Sequence, residues 1–416
     1  MKTTKPKLLV TALSATPFSG SEPGKAFNWT LALSKFFEVH VLLLPDKIEK
    51  CKESGYCDDW FFHPINIAGP TRDGIPFYIW YAKWCRAVEA KCSELLTRDC
   101  YAGIHHPVLG SFRMLPRYDR LGVIYSLGPL GGGETAPEGI LRDCGFPLIP
   151  RTLEFARPMA NALSTRIPSV RRVVRNAAKV LATTSETELV LKKAGSLNTA
   201  IVFPDVVDVL ANPNEGILAL RKKQASVLGG KFRLVFSGRS LWWKGGSVSV
   251  RFLDRLLSAG VEATLDVFGD GPAMAEWHNL AVKLGISRDS ITFHGMVERK
   301  HLLEAYASSH LFVYPTFHDS SSSAIPEAYS TGLPSMTLYC GGTRTAATPF
   351  AGINFTPRSI NEFYEEGVKV VRLWINDPSL WVACCNQALE ASKKFSHEAI
   401  ENAVKKELVP IFPCGF

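Results

Sequence analysis

No run in this 416-residue chain is apolar enough to cross a bilayer. The longest, over 74–82, stops at Lys83, well short of the ~18 residues a spanning helix needs. Charge of one sign is also scarce. Forty-seven Lys and Arg against 39 Asp and Glu leave +8, too little over this length to imply nucleic-acid binding without a concentrated patch, though enough for an anionic substrate or lipid surface. The ten cysteines include no C-x-x-C pair and no His/Cys spacing suited to zinc; Cys51/Cys57 and Cys384/Cys385 are the only close pairs. Reduced, cytosolic thiols are the expectation. The fingerprint G-x-G-x-x-G is missing, which weighs against a nicotinamide cofactor. No internal repeat recurs at a fixed short period, and low complexity is confined to Ser320–Ser323. With 46% hydrophobic and 21% charged residues, disorder is excluded.

What is present is an alternation of short β-rich runs with helical stretches. Residues 8–13, 39–44, 61–67, 122–126 and 180–184 read as strands, with helices over 25–35 and 78–96 between them. The first run follows a lysine-rich start that imitates a signal peptide. It is short, is broken by Thr11 and Ser14, and leads into a Gly/Ser/Pro loop and a helix, which is how an α/β domain begins. A second cycle runs through 232–237, 263–268, 291–293, 311–314 and 334–338 and closes with helices from Ile360 onward. The pattern predicts an α/β protein of two doubly wound, Rossmann-like domains, 1–205 and 206–395, and a C-terminal helix over 396–416 crossing back to the first.

In open parallel sheets ligands bind beyond the carboxyl ends of the strands, so two facing domains of this kind would form a cleft. Five loops after strands carry suggestive residues. In the first, Gly20, Ser21, Glu22 and Gly24 open a helix at Lys25, where glycines admit a ligand and helix-start amides attract anions; a plain Gly-Pro turn is an equal reading. In the second, Gly131, Gly132, Gly133 and Glu134 follow the strand ending at Ser126. Three consecutive glycines suggest close approach to a ligand or to the other domain, with a flexible turn as the alternative. The third places Arg239 and Lys244 between Gly238 and Gly245-Gly246, where a planar fork and a compact charge would converge on a phosphate unless both cations are simply solvated. The fourth, Phe268-Gly-Asp-Gly-Pro272, reads as a tight turn. The fifth holds Asp319, Ser320, Ser321, Ser322, Ser323 and Glu327. Seven residues separate its two carboxylates, which suits a sugar diol if both face one end of the sheet; a helix cap and a surface charge are the alternatives.

Taken together, Arg239/Lys244, the Phe-Gly-Asp-Gly-Pro turn, the acidic-x7-Glu element and Ala328-Tyr-Ser-Thr-Gly332-Leu-Pro334 resemble, in order and spacing, the C-terminal half of retaining family 4 (group 1) glycosyltransferases with the GT-B fold. Gly20–Gly24 with Asn28-Trp29, His105-His106 with Gly110-Ser-Phe-Arg113, and the glycine run ending at Glu134 are similar to a bacterial polysaccharide branch of that family. The resemblance implies a nucleotide-sugar donor held by Gly238, Arg239, Lys244, the serines 320–323 and Glu327. It also implies a glycan or lipid-linked acceptor met by the loops of the first domain. Arg239 and Lys244 would neutralise the diphosphate, Asp319 would orient the donor sugar, and Glu327 would hold the ribose. Two departures stand out. Asp319 and serines at 321 and 322 replace the usual Glu and Phe-Gly, and Tyr125-Ser126-Leu127 occupies the place where many relatives carry a histidine. Either His105 or His106 takes a polar role instead, or both are core residues beside a strand. No D-x-D motif is present, so no metal and no other cofactor is expected.

Arg171, Arg172, Arg175 and Lys179 fall near one face at helical spacing, and 75–84 is rich in aromatics. That pairing suits peripheral contact with an anionic inner leaflet from the cytoplasmic side, with a solvated basic face as the plain alternative. An epimerase or phosphorylase of the same fold, or a catalytically silent sugar-nucleotide-binding module, are the competing functions.

Overall fold

The computed structural model describes residues 5–17, 21–67, 75–107, 111–143, 148–207 and 214–412. The chain forms two compact units. Unit 1 comprises Met1–Gly133, Met159–Val206 and His397–Phe416, and unit 2 comprises Glu134–Pro158 and Val207–Ser396. The segment 134–158, expected in the first domain, thus belongs with unit 2. Two packing facts explain it: a Cβ on Gly139 would lie 2.5 Å from the Arg358 carbonyl oxygen, and the buried Glu154 sits beside His318. The division falls inside the helix Leu148–Ser164.

Unit 1 is built on strands β1 (Lys7–Thr11), β2 (Glu38–Leu43), β3 (Phe61–Pro64), β4 (Gly103–His106), β5 (Tyr125–Leu130), β6 (Lys179–Ala182) and β7 (Thr199–Ile201). They form one parallel sheet in the order β3-β2-β1-β4-β5-β6-β7. Successive strand side chains point to opposite faces, and here both faces are covered. Leu9, Leu42, Ile104, Leu127 and Val180 enter one core, while Leu8, Val10, Val39, Val41, Leu43 and Leu181 enter the other. That is why these strands read as continuous apolar runs and not as alternating ones.

The second core is completed by the end of the chain. Ile400 and Val404, from the helix His397–Glu407, join Leu408 and Phe412 against Ala26, Phe27 and Trp29 of the helix Ser21–Ser34. Gly103 makes room for the Phe412 ring, since a Cβ there would approach it to 2.4 Å. Lys179 pairs with Glu407 at 2.5 Å, and Lys35 pairs with Glu401.

Unit 2 contains β8 (Phe232–Ser237), β9 (Ala263–Phe268), β10 (Ile291–Gly295), β11 (Leu311–Val313), β12 (Ser335–Leu338) and β13 (Gly352–Phe355). Its parallel sheet has the order β10-β9-β8-β11-β12-β13. Three strands have no counterpart in the sequence reading: β4, β7 and β13. Each spans only three or four residues. Strand β5 also runs past Ser126 through Gly128 and Pro129 to Leu130, because its pairing with β6 shifts register between Leu127 and Leu130 and absorbs the irregular residues as a bulge.

Candidate active site

Strands β8 and β11 are neighbours, yet the next strand after each lies on the opposite side, β9 beyond β8 and β12 beyond β11. This reversal is the topological switch point of the unit 2 sheet, where ligands of doubly wound folds bind. The loops leaving the two carboxyl ends contain Arg239/Lys244 and Asp319, respectively.

The first loop is shaped by glycines at positions that only glycine fits. The Gly238 N–H donates to the Phe268 carbonyl at 3.1 Å, the Ser240 N–H to that of Asp270 at 2.9 Å, and the Ala273 N–H to that of Ser240 at 2.9 Å. The Phe-Gly-Asp-Gly-Pro turn is thus the bed on which this loop rests. At Gly269, with φ +111°, a Cβ would lie 1.9 Å from the Gly238 oxygen. Gly245, with φ +80°, caps the helix Gly246–Ser258 and comes so near the second loop that a Cβ would meet the Pro315 oxygen at 2.3 Å.

This approach brings Lys244 to Asp319. The ammonium donates to Asp319 Oδ2 at 2.6 Å and to the Tyr314 hydroxyl at 2.8 Å, and that hydroxyl donates to the same Oδ2 at 2.8 Å. Burial and the neighbouring Asp319 push the Tyr314 phenol well above its ordinary pKa, so it stays a donor. Arg239 is exposed, and its guanidinium has no ion-pair partner among the described residues. One cation is therefore pre-positioned and the other is free for an incoming anion.

Beyond Asp319, the backbone packs against Gly341-Gly342. The Gly342 N–H donates to the Asp319 carbonyl at 2.6 Å, and a Cβ on Gly342 would lie 2.5 Å from the Ser321 nitrogen. Ser321 and Ser322 are buried, whereas Ser320 and Ser323 are partly accessible. Ser322 has φ +52°, the only non-glycine residue with positive φ among those described, and its buried hydroxyl has no hydrogen-bond partner. Strained residues and unsatisfied buried groups cluster in general at binding and switch loops. Asp319 does not cap the following helix: that helix, Ala324–Ser330, is preceded by Ser323 and contains Glu327. Glu327 lies 3.4 Å from the Arg299 guanidinium.

His318 anchors the loop from below. Its ring stacks on Trp243 with centroids 5.0 Å apart, its Nδ1 is 3.0 Å from Glu154 Oε2, and its Nε2 accepts from Arg157 at 3.2 Å. Burial lowers the imidazole pKa against the pull of Glu154. For Glu154 burial acts upward, but His318 and Arg157 outweigh it and hold the carboxyl below its ordinary value. The Glu154–Arg157 ion pair thus flanks the buried His318 ring. Sequence reading overlooked Tyr314, Trp243, Glu154, Gly341 and Gly342; only the glycine pair after a strand was a usable signal.

Residues 231–372, which contain both loops, match the family described as glycosyl transferases group 1. The matched segment lies within unit 2, and this part of the chain is similar to group 1 glycosyltransferases. A curated relative, the 2-deoxystreptamine glucosyltransferase of Streptomyces kanamyceticus, is 27% identical over 199 residues, or 46% of this chain; the match spans about half of that protein's length, 51%. Among solved structures, Anabaena HepE in complex with UDP and glucose aligns over 96% of this chain and 98% of its own at 15% identity and a TM-score of 0.61. A sucrose-phosphate synthase from Thermosynechococcus elongatus aligns over 97% and 98% at 15% identity and a TM-score of 0.66. WaaG, a glycosyltransferase involved in lipopolysaccharide biosynthesis, aligns over 96% and 100% at 17% identity and a TM-score of 0.58. At such identities the likeness is one of fold, and the fold is GT-B.

In unit 1 the sequence-predicted residues fall differently. Gly20 lies outside the described residues. Ser21, Glu22 and Gly24 form the first turn of the helix Ser21–Ser34 and not a loop before it, since Pro23 suits a helix start. A Cβ on Gly24 would meet nothing within 4 Å. The three glycines are engaged within their own unit, Gly131 and Gly133 buried and Gly132 partly accessible. A Cβ on Gly133 would lie 2.5 Å from Thr187 Cα, and the carbonyls of Gly131, Gly132 and Gly133 accept from the Phe112 N–H, Arg113 and Asn161 at 3.2, 2.8 and 2.9 Å. Glu134 is buried in unit 2 near Gly341.

His105 and His106 are fully buried on β4. His105 Nδ1 pairs with the Ser126 hydroxyl at 2.7 Å and its ring stacks over Trp29; burial takes its pKa down to about 3. His106 Nδ1 lies 2.9 Å from the Thr11 hydroxyl, with a pKa lowered by burial to about 4. Both are neutral core residues. Lys179 lies on β6 with Glu407 and not on the helix Pro168–Asn176 that bears Arg171, Arg172 and Arg175. The aromatics over 75–84 mostly face the core: Trp80, Tyr81 and Trp84 are buried, and Tyr78 is exposed. No described helix is long and apolar enough to cross a membrane.

Proposed function

We propose that the protein transfers a hexosyl group, with retention at the anomeric carbon, from a nucleoside-diphosphate sugar to a hydroxyl of a glycan or lipid-linked acceptor in surface-polysaccharide synthesis. The observation that carries this reading is the pairing of a pre-positioned Lys244 with an unpaired Arg239 at the switch point of a group 1 glycosyltransferase unit. UDP and UDP-glucose in the HepE structures, and the lipopolysaccharide role of WaaG, support the donor class and the pathway class.

As the bond from the anomeric carbon to the phosphate oxygen breaks, negative charge develops on the diphosphate. Arg239 and Lys244 meet it there, which is stabilisation where charge appears. The new bond forms from the acceptor oxygen on the same face, and its proton passes to the departing phosphate oxygen, so no separate strong base is required. Glu327 holds the ribose, and Asp319 with the Ser320–Ser323 loop orients the sugar. The diphosphate charge is met by these side chains without a metal. Unit 1, with the Gly20–Gly24 segment, receives the acceptor. The enzyme works on the cytoplasmic side, in peripheral contact with an anionic leaflet.

A thermal-shift screen of nucleoside diphosphates and their sugars tests the reading. A ligand at 100 times its Kd stabilises by ~2.7 kcal/mol, and Arg239→Ala and Lys244→Ala should abolish that shift while lowering turnover by roughly 10² to 10³. If no nucleoside diphosphate raises the melting temperature, or if both variants turn over like wild type, the assignment fails.

A further inference from the structure

Within unit 2 the helix Ile360–Asn376 packs beside the helix Gly246–Ser258. Gly367 lets them touch, since a Cβ there would lie 2.6 Å from the Phe252 ring. Beside that contact a groove of 790 Å³ opens along the longer helix, from Asn361 at one end to Asn376 at the other, over ~22 Å. Its volume is that of a small-molecule site. Every lining residue belongs to these two helices, and none to the loops that carry Arg239, Lys244 and Asp319. Arg255 lies nine residues beyond the helix start at Gly246, ~14 Å along the axis.

Charge and polarity describe the occupant. Three cations line the groove, Arg255, Lys369 and Arg372, against one carboxylate, Glu365. Lys369 is shared with Glu366 at 3.3 Å. The two arginines are exposed and have no ion-pair partner among the described residues. Each is nonetheless fixed: the Arg255 guanidinium lies over the Tyr364 ring at 5.9 Å, and Arg372 donates to the Ala259 carbonyl. Planar forks held in place and left without carboxylates suit a phosphate or carboxylate group.

An ion alone would leave most of the groove empty. The Asn361 and Asn376 amides offer donors and acceptors that match hydroxyl groups, and Val368 and Leu373 offer aliphatic surface to the C–H face of a sugar ring. The one aromatic residue of the lining, Tyr364, is buried, so a flat aromatic ligand has no exposed ring to stack on. We propose that this groove binds an acidic sugar, with its phosphate or carboxylate on Arg255 and Arg372 and its hydroxyls on the asparagine amides. The site is separate from the donor loops and goes beyond the transfer reaction proposed above.

Isothermal titration calorimetry on the full chain tests the proposal, with glucose 6-phosphate, glucuronate, glucose and inorganic phosphate as probes. At least one of the two acidic sugars should bind saturably, roughly tenfold or more tighter than either glucose or inorganic phosphate. Arg255→Gln and Arg372→Gln should each weaken that binding roughly tenfold, and Lys369→Gln less, because Glu366 already shares its charge. Arg239→Ala should bind like wild type, since Arg239 lies outside the groove. Arg255 makes no hydrogen bond among the described residues, so its variant should keep the wild-type melting temperature and tests the site apart from folding. If Arg239→Ala abolishes binding while Arg255→Gln and Arg372→Gln leave it intact, the acidic sugar occupies the active-site loops and the proposal is overturned. Inorganic phosphate binding as tightly as glucose 6-phosphate would overturn it too, because the groove would then read an ion and no sugar. If neither acidic sugar binds, the proposal falls while the donor reading, tested with nucleoside diphosphates, stands.

Discussion

Lys244 is held by a carboxylate one methylene shorter than the glutamate usual in the resembling family, and the Tyr314 hydroxyl completes the triangle of contacts. Because Oδ2 of Asp319 is engaged by the ammonium, Asp319 positions Lys244, and under the proposed function it would serve the phosphate end of the donor as well as the sugar. Tyr314 contacts Lys244 and Asp319 through its hydroxyl, which under the proposed function makes it a positioning residue. Tyr314→Phe removes two hydrogen bonds but leaves the ion pair. A hydrogen bond to a charged group is worth ~1.5 to 3 kcal/mol, so kcat should fall at least tenfold while KM for the donor changes little. Steady-state kinetics with an unchanged kcat would show that the ion pair positions Lys244 unaided. The tyrosine could not be singled out from the sequence, because it reads as one more strand residue and its partners lie 70 and 5 residues away.

At the scale of elements, loops here are supported by other loops. The Phe-Gly-Asp-Gly-Pro segment was legible as a turn from its glycines and proline, but its purpose lies in the Gly238–Ser240 backbone it carries. Gly269→Ala should therefore cost two things, the backbone penalty of φ +111° and a collision with the Gly238 oxygen. Gly285, with φ +70° and nothing within 4 Å of a Cβ, isolates the first. Urea titrations should show Gly285→Ala losing ~1 to 2 kcal/mol and Gly269→Ala losing clearly more, with weakened nucleotide binding as well. Equal losses would mean that the loop adjusts freely and the turn is only a connection.

For the molecule as a whole, buried neutral histidines tie stability to pH. Burial lowers the pKa of His105 to about 3, of His106 to about 4 and of His310 to about 3, against an ordinary value of ~6.5 in the unfolded chain. Below pH ~6.5 the unfolded state therefore binds protons that the folded state refuses, and stability falls with acidification until the folded values are reached. At pH 5 the loss is on the order of 2 kcal/mol for each histidine, a large share of the ~5 to 15 kcal/mol typical of a folded protein. His105 and His106 lie in unit 1 and His310 in unit 2, so both should weaken. Denaturant midpoints at pH 7 and pH 5 check this; coincident midpoints would mean that these imidazoles are protonated within the fold.

The sequence alone determined the two-fold α/β alternation, most strand positions and the loops that carry cations and carboxylates. Those properties are local: a two-residue or 3.6-residue period and the steric freedom of glycine are written in neighbouring residues. Tertiary structure decided what each residue faces. It set Lys244 against Asp319 across 75 residues, and it closed the triple glycine on Thr187. It also took His105, His106 and Lys179 into the sheet. Burial depends on which distant segments arrive to cover a residue, and a charged side chain finds its partner only after the sheets have brought their loops together.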